Sequence, residues 1–218
     1  MNFSDLAESL PIERRLALSY AASAARRACG ALLGFDAMLG HLIRSSREPL
    51  LGQLRLAWWR EELAKPVGTR AKGEPLLDAL EVFGERTGEL VGLIDAWEGL
   101  LGEAAIAGQA FNALAEARGE AWARVAQVVG NGSAAQKART AGYEWALADL
   151  GCHLSNPDER AGVMGLIGDC RWLPADVPRD LRPLKVLHGL ARRSRGSRPL
   201  LGRRRDLLAG FRLGLLGF

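Results

Sequence analysis

Residues Ser46 to Leu63 read SREPLLGQLRLAWWREEL, and this stretch decides how the chain is expected to fold. Pro49 is followed by two apolar sets at three- and four-residue spacing: Leu50, Leu54 and Trp58, and Leu56, Trp59 and Leu63. The spacing predicts an amphipathic helix that begins near Arg47. Neighbouring residues project about 100° apart on a helix, so both tryptophans are buried only if protein covers two sides. We therefore predict a central helix of an all-α domain.

Helical periodicity continues through the rest of the chain, and no segment alternates as a strand does. We predict a first helix that ends near Cys29, and a second from Ala31 to Arg44 after a break at Gly30. A later helix stops at Asn156-Pro157, and residues 168 to 183 form a crossing loop. The predicted fold class is all-α, with one domain over residues 1–218 and a basic and apolar tail helix at about 199–218.

The composition fits one soluble globular domain with a sizeable core. The chain has 218 residues, of which 48% are hydrophobic and 25% charged. The three cysteines are far apart and match neither a disulfide framework nor a zinc site. The N-terminus lacks the apolar segment of a secretory signal, and no stretch is long enough to span a membrane. A cytoplasmic protein is expected, with peripheral attachment at the inner membrane as an open alternative.

Most of the basic character lies near the C-terminus. Residues 192–205 contain seven arginines and no acid, so with a net charge of +4 the remaining residues sum to 4 − 7 = −3. The arginines considered as membrane or anion contacts are Arg192, Arg193, Arg195, Arg203, Arg204 and Arg205. The segment either lies on an anionic membrane or docks on the domain with its arginines in solvent. Nucleic-acid binding is disfavoured because no aromatic residues are interleaved with the arginines.

Four segments together resemble the squalene/phytoene synthase family. They are REPLLGQLRLAWWREEL at 47–63, LIDAWEGLL at 93–101, AGYEWALADL at 141–150 and RWLP at 171–174. The likeness is to a bacterial branch that includes relatives of the mitochondrial complex I assembly factors. It implies a single-domain helical bundle of the isoprenoid synthase type with a central cavity. The residues expected near that cavity are Leu54, Trp58, Trp59, Trp97 and Trp145.

The resemblance also implies a metal chemistry that this sequence lacks in part. The family's enzymes join two prenyl diphosphates, and Mg²⁺ neutralises the diphosphate leaving group. Pairs of aspartates at four-residue spacing on two facing helices hold the metal in those enzymes. Here Asp36 is followed at that spacing by Gly40, and Asp149 by His153. Neither helix carries the second carboxylate.

Two function classes follow, and a third stays open. The first is a non-catalytic prenyl- or lipid-binding protein, or a membrane-associated assembly protein, that needs no cofactor. The alternative is an active prenyltransferase on isoprenoid diphosphates, with Mg²⁺ held by displaced acids at Asp36, Asp95, Glu98 and Asp149. A protein–protein adaptor without any cavity ligand is the third class.

Overall fold

The computed structural model describes residues 7–45, 49–101 and 108–217, and every regular element in these ranges is helical. The α-helices are α1 Ile12–Ser19, α2 Ser23–Ser45, α3 Pro49–Ala64, α4 Pro75–Leu80, α5 Val91–Glu98, α6 Gly108–Val128, α7 Ala135–His153, α8 Pro157–Asp169, α9 Arg182–Ser194 and α10 Arg204–Leu215. Short 3₁₀ segments span Glu81–Leu90, Gly132–Ala134 and Arg179–Leu181. The predicted all-α class is confirmed, and the helices form a single compact domain.

The centre of the domain is the antiparallel pair of α6 and α7. Two glycines let these helices approach closely: a Cβ at Gly119 would lie 2.7 Å from the Arg139 carbonyl oxygen, and one at Gly142 would lie 2.8 Å from the ring of Trp122. Trp122 and Trp145 then meet edge to face in the core, with ring centroids 6.4 Å apart. These contacts fix the two helices on which the candidate site is built.

The predicted helix is confirmed over the described part of this stretch, where α3 spans Pro49–Ala64, but its predicted central position is wrong. In α3 the set Leu56, Trp59 and Leu63 is buried, whereas Leu50, Leu54 and Trp58 are 65%, 59% and 38% exposed. Helix α3 packs mainly on α5 and the adjoining 3₁₀ segment, so protein covers only one side of it. The predicted start near Arg47 lies outside the described residues.

One predicted helix boundary needs correction, and another is confirmed, because α7 ends at His153, before Asn156-Pro157. Helix α2 runs without a break through Gly30, and the chain turns earlier, between Ser19 and Ser23. Asn156 follows the end of α7 but also begins the next helix, because its side chain accepts hydrogen bonds from the amides of Asp158 and Glu159 and so caps α8. A helix that the sequence analysis missed therefore precedes the crossing segment.

The tail helix docks on the bundle through its small residues. Gly210 faces Leu16, Gly214 faces Tyr20, and Leu213 lies against Gly189 of α9. A Cβ at any of these glycines would lie less than 3 Å from the neighbouring side chain, so the close contact depends on glycine. The opposite face of α10 remains exposed. In the part of the chain that the structure describes, no helix is long and apolar enough to cross a membrane.

Candidate functional site

A buried cluster of two acids and two arginines joins four helices in the middle of the bundle. Arg14 comes from α1, Asp36 from α2, Arg118 from α6 and Asp149 from α7, and each side chain is at most 7% exposed. Burying a charge is costly unless an opposite charge and hydrogen bonds compensate for the lost water. The formal charges of the cluster cancel, and hydrogen bonds join each arginine to both acids. Nε of Arg14 is buried and makes no hydrogen bond to a described residue.

Asp36 is the most fully bonded member of this cluster. Its Oδ1 accepts from Arg118 Nε at 2.8 Å and from the Trp97 indole nitrogen at 2.9 Å. Its Oδ2 accepts from Arg118 Nη2 at 2.9 Å and from Arg14 Nη1 at 2.7 Å. Arg118 therefore holds Asp36 in a bidentate pair, which is the strong geometry for guanidinium and carboxylate. No lone pair of Asp36 is left in a favourable position for a metal ion.

Asp149 shares the same two arginines through one oxygen. Its Oδ2 accepts from Arg118 Nη1 at 3.0 Å and from Arg14 Nη2 at 3.3 Å. Its Oδ1 lies 3.7 Å from Nδ1 of His153, whose side chain is 72% exposed. The His153 ring is instead 2.7 Å from the Asp149 carbonyl oxygen. The predicted pair of Asp149 and His153 is thus only loosely joined through its side chains.

Aromatic rings enclose the two guanidinium groups. The guanidinium carbons of Arg14 and Arg118 lie 5.2 Å and 5.3 Å from the centre of the Trp145 ring, and Arg118 is also 5.1 Å from the Trp97 ring. Such contacts favour a cation over a ring face when water is excluded. Trp97 and Trp145, predicted to lie near a cavity, therefore hold the ion cluster in place.

The arginines keep both aspartates ionised. Burial alone would raise the pKa of Asp36, but Arg118 and Arg14 outweigh it and lower that pKa to about 2. Burial opposes ionisation of Asp149 as well, and the same two arginines lower its pKa. Glu13 beside the cluster shows the opposite balance, because burial raises its pKa more than Arg14 lowers it. The cluster is a charged network at neutral pH.

A cavity of about 310 Å³ opens beside the cluster. Its wall includes Asp36, Trp97, Arg118, Asp149, His153 and Arg44. Gly40 also lines it, and a Cβ there would lie 2.9 Å from Cη2 of Trp97. Any larger residue at this position, an aspartate included, would displace the indole that bonds Asp36. A carboxylate at position 40 would therefore disturb the hydrogen bond from Trp97 to Asp36.

The other predicted acids lie elsewhere and are also paired with an arginine. Arg60 of α3 contacts Asp95 Oδ1 at 2.6 Å and Glu98 Oε2 at 2.7 Å. The structure thus brings Asp36 together with Asp149, and Asp95 together with Glu98, in two separate groups. In the described ranges, no three His, Cys, Asp or Glu side chains are placed to hold a metal ion.

The remaining predicted cavity residues do not share one cavity. Leu54 is exposed on the outer face of α3. Trp58 and Trp59 line a separate cavity of about 300 Å³ together with Met38 and His41. Their rings meet edge to face at 5.1 Å. This cavity and the one beside the ion cluster have no lining residue in common.

The predicted tail arginines divide between two surroundings. Arg193 bonds the buried Asp206 at 3.3 Å, and Arg195 lies 6.0 Å from the Trp172 ring. The backbone amide of Arg203 donates to Asp206 at 3.0 Å. All six residues are nevertheless exposed, including Arg192, Arg204 and Arg205. The basic segment is therefore partly structural.

Sequence reasoning missed Arg14 and Arg118, which are central to the site. One signal for Arg118 was present: it lies on the same helical stripe as Phe111, Leu114 and Trp122, all of which are buried. A charged residue on an otherwise apolar stripe indicates a buried ion pair. Arg14 gave the same signal, because Leu10, Ala17 and Leu18, at three- and four-residue spacing from it, are apolar and buried.

Comparison with known proteins adds no relative. No family model, curated protein or solved structure matches the chain. The resemblance to the squalene/phytoene synthase family stays a prediction that depends on the four sequence segments.

Proposed function

We propose that the chain is a squalene/phytoene synthase-like helical bundle that does not turn over isoprenoid diphosphates and acts as a peripheral membrane protein, with a lipid-binding or assembly role on the cytoplasmic side. The observation that carries the proposal is the pairing of Asp36 and Asp149 with Arg14 and Arg118. An acid that binds Mg²⁺ must present free carboxylate oxygens. Here the guanidinium groups of Arg14 and Arg118 bond both oxygens of Asp36 and one oxygen of Asp149.

The same cluster argues against the alternative of an active prenyltransferase. Binding a diphosphate with Mg²⁺ at this point requires breaking the bidentate pair of Arg118 and Asp36, both of which are almost fully buried. Removing one partner of a buried ion pair typically costs about 3–5 kcal/mol. Asp95 and Glu98 are no better suited, since Arg60 contacts both of them.

The exposed face of α10 favours membrane association over the adaptor class. Leu208, Phe211 and Leu215 are 67%, 46% and 71% exposed, and Arg204 and Arg205 are exposed in the first turn. Apolar side chains beside basic ones on one docked helix match the interface of an anionic bilayer. Each basic residue near such a surface contributes about 1 kcal/mol.

Two measurements on the purified protein test the proposal. The first is turnover of farnesyl diphosphate with Mg²⁺, for which we expect no product. The second is co-sedimentation with vesicles of phosphatidylcholine alone or with added phosphatidylglycerol, for which we expect binding only to the anionic vesicles. Robust formation of a head-to-head product would overturn the non-catalytic assignment.

A matched pair of variants tests the membrane face. Leu208 on α10 and Leu50 on α3 are 67% and 65% exposed, so changing either to Glu perturbs the fold little. Leu208→Glu is expected to abolish vesicle binding, whereas Leu50→Glu leaves it unchanged. Equal binding by both variants would contradict a role for α10 at the membrane.

A further inference from the structure

A second buried polar group lies near the middle of α7, at Glu144, the residue before Trp145. Nε2–H of His188 on α9 donates to Glu144 Oε2 at 2.5 Å, and the amide of Trp172 donates to Glu144 Oε1 at 3.1 Å. The Trp172 ring stacks on His188, with centroids 6.2 Å apart and planes inclined by 22°. His188 is only 1% exposed. This group joins α7, α9 and the segment between α8 and α9.

One ring nitrogen of His188 has no hydrogen-bond partner among the described residues. Nδ1 is buried and makes no hydrogen bond to any described residue. An unpaired buried polar atom is unusual in a native protein and calls for a specific explanation. Because Glu144 accepts from Nε2, Nδ1 is the atom through which this ring can contact a further polar group.

The backbone around this group is strained. Trp172 has φ +53° and Arg195 has φ +43°, and among the described non-glycine residues only these two have positive φ. A bulky residue in the left-handed region is held there by its surroundings, and such residues concentrate at functional sites. The Arg195 guanidinium lies over the Trp172 ring. The two strained residues are therefore in direct contact beside His188.

An apolar cavity of about 480 Å³ lies on one side of His188. Most of the surface that lines it is apolar and comes from Ala141, Leu166, Leu173, Pro174 and Ala175. Charged side chains line it as well, among them Lys137, Glu144, Asp169 and Arg171. The volume is within the range of small-molecule sites, which are mostly apolar with a few polar groups. Leu173 is 65% exposed, so an apolar side chain lies open at this cavity.

A basic cavity of about 580 Å³ adjoins the apolar one. The two linings have Pro174, Ala175, Asp176 and His188 in common. The cations that line the basic cavity are Lys185, Arg192, Arg193, Arg195 and Arg212. Its one acidic side chain, Asp176, is paired with Lys137 at 2.5 Å. The cavity therefore carries a strong excess of positive charge.

We infer that these adjoining cavities form a binding site for a single-chain anionic amphiphile, with its aliphatic chain in the apolar cavity and its anionic oxygen head group among the arginines. The apolar surface of the first cavity removes the aliphatic chain of the ligand from water. The guanidinium groups of the second cavity are well suited to binding phosphate and carboxylate oxygens. His188 lies in the wall common to both cavities, where the head group meets the aliphatic chain. This site shares no residue with the ion cluster and does not depend on the proposed function.

Calorimetric titration with monododecyl phosphate below its micelle concentration tests this inference. We expect one site per chain. Inorganic phosphate and dodecyltrimethylammonium are expected to bind at least about a hundredfold more weakly. Inorganic phosphate lacks the aliphatic chain, and dodecyltrimethylammonium lacks the anionic head group. Tight binding of inorganic phosphate would mean a simple anion site and would overturn the amphiphile assignment. Several ligands per chain would mean detergent-like adsorption and would overturn it too.

Two pairs of charge variants separate this site from the membrane face. Lys185→Gln with Arg192→Gln removes two charges from the basic cavity, and Arg204→Gln with Arg205→Gln removes two outside it. The first pair is expected to weaken binding of the monomeric amphiphile by at least about tenfold, through loss of charge-assisted hydrogen bonds. The second pair should leave that binding unchanged and weaken only vesicle binding. Equal effects of the two pairs on the amphiphile would overturn the inference.

A cavity-filling variant independently tests whether the aliphatic chain of the amphiphile lies in the apolar cavity. Ala141→Phe projects a ring from α7 into the apolar cavity and is expected to abolish amphiphile binding. Ala24→Phe adds the same ring on the exposed surface of α2, outside both cavities, and should leave amphiphile binding unchanged. Thermal unfolding shows whether each variant is folded. Undiminished binding by folded Ala141→Phe would contradict the assignment.

Discussion

The indole of Trp97 occupies the space that a side chain at Gly40 would need. A Cβ at position 40 would lie 2.9 Å from Cη2 of Trp97 and 3.1 Å from Nη1 of Arg44. Trp97 in turn donates to Asp36, so the glycine permits the hydrogen bond that completes the ion cluster. The absence of a second carboxylate after Asp36 and the pairing of Asp36 are two consequences of one packing arrangement.

Gly40→Ala is therefore expected to destabilise the protein. A Cβ in this contact forces Trp97 to shift, and overpacking of this kind costs about 1–3 kcal/mol. Gly165→Ala is the matched control, because a Cβ added at Gly165 in α8 would meet no described neighbour within 4 Å. That change should raise stability by about 0.5–1 kcal/mol through helix propensity. Urea unfolding measures both, and a stabilised Gly40→Ala protein would contradict the packing argument.

Arg118→Met tests how much the cluster depends on its bidentate arginine. The change leaves two buried carboxylates with only Arg14, for which we expect a loss of about 3–5 kcal/mol in unfolding free energy. Arg139→Met on α7 removes a partly exposed pair with Glu120 and should cost at most about 1 kcal/mol. Similar losses for the two variants would show that the cluster is not tightly coupled.

Adding Asp149→Asn to Arg118→Met restores the balance of charge. Arg14 and Asp36 then remain as a single pair, bonded at 2.7 Å. The double variant should be less destabilised than the sum of the single ones, with a coupling of about 0.5–3 kcal/mol. Strict additivity in this cycle would mean that Arg118 and Asp149 act independently.

The lowered pKa values of the two aspartates predict acid sensitivity. Each ionised carboxylate is stabilised in the folded protein, so its contribution is fully present above the unfolded pKa of about 4. The contribution is lost as the pH falls toward the folded pKa of Asp36, which is about 2. Unfolding free energy should therefore drop steeply between about pH 4 and pH 2. Asp149→Asn should flatten this profile, and an unchanged slope would exclude Asp149 as a contributor.

The helical fold was predictable because apolar spacing reports helices directly, whereas burial of a particular stripe depends on neighbouring elements. Residues 50–63 carry two stripes of similar width, and only packing on α5 decides that Trp59 is inside and Trp58 outside. Asp36 and Asp149 were recognised as site residues, but their arginine partners were not. Arg118 lies 82 residues from Asp36 in sequence, and pattern reasoning has no access to such contacts.

Asp206 is expected to control whether α10 stays docked. Its side chain is buried and bonds Arg193, Arg198 and the amide of Arg203. Burial would raise its pKa, but Arg198 and Arg193 lower it. Asp206→Asn removes the charge that these arginines share, so we expect a loss of about 1–3 kcal/mol.

The loss should be local, because α10 packs mainly on α9 and α1 through its small residues. Amide hydrogen exchange should accelerate in α10 and remain unchanged in α6 and α7. Asp158→Asn in the exposed first turn of α8 is the control and should leave exchange in α10 unaffected. Uniform acceleration over the whole chain would contradict a local role, since it would mean that docking of α10 is coupled to the global unfolding of the bundle.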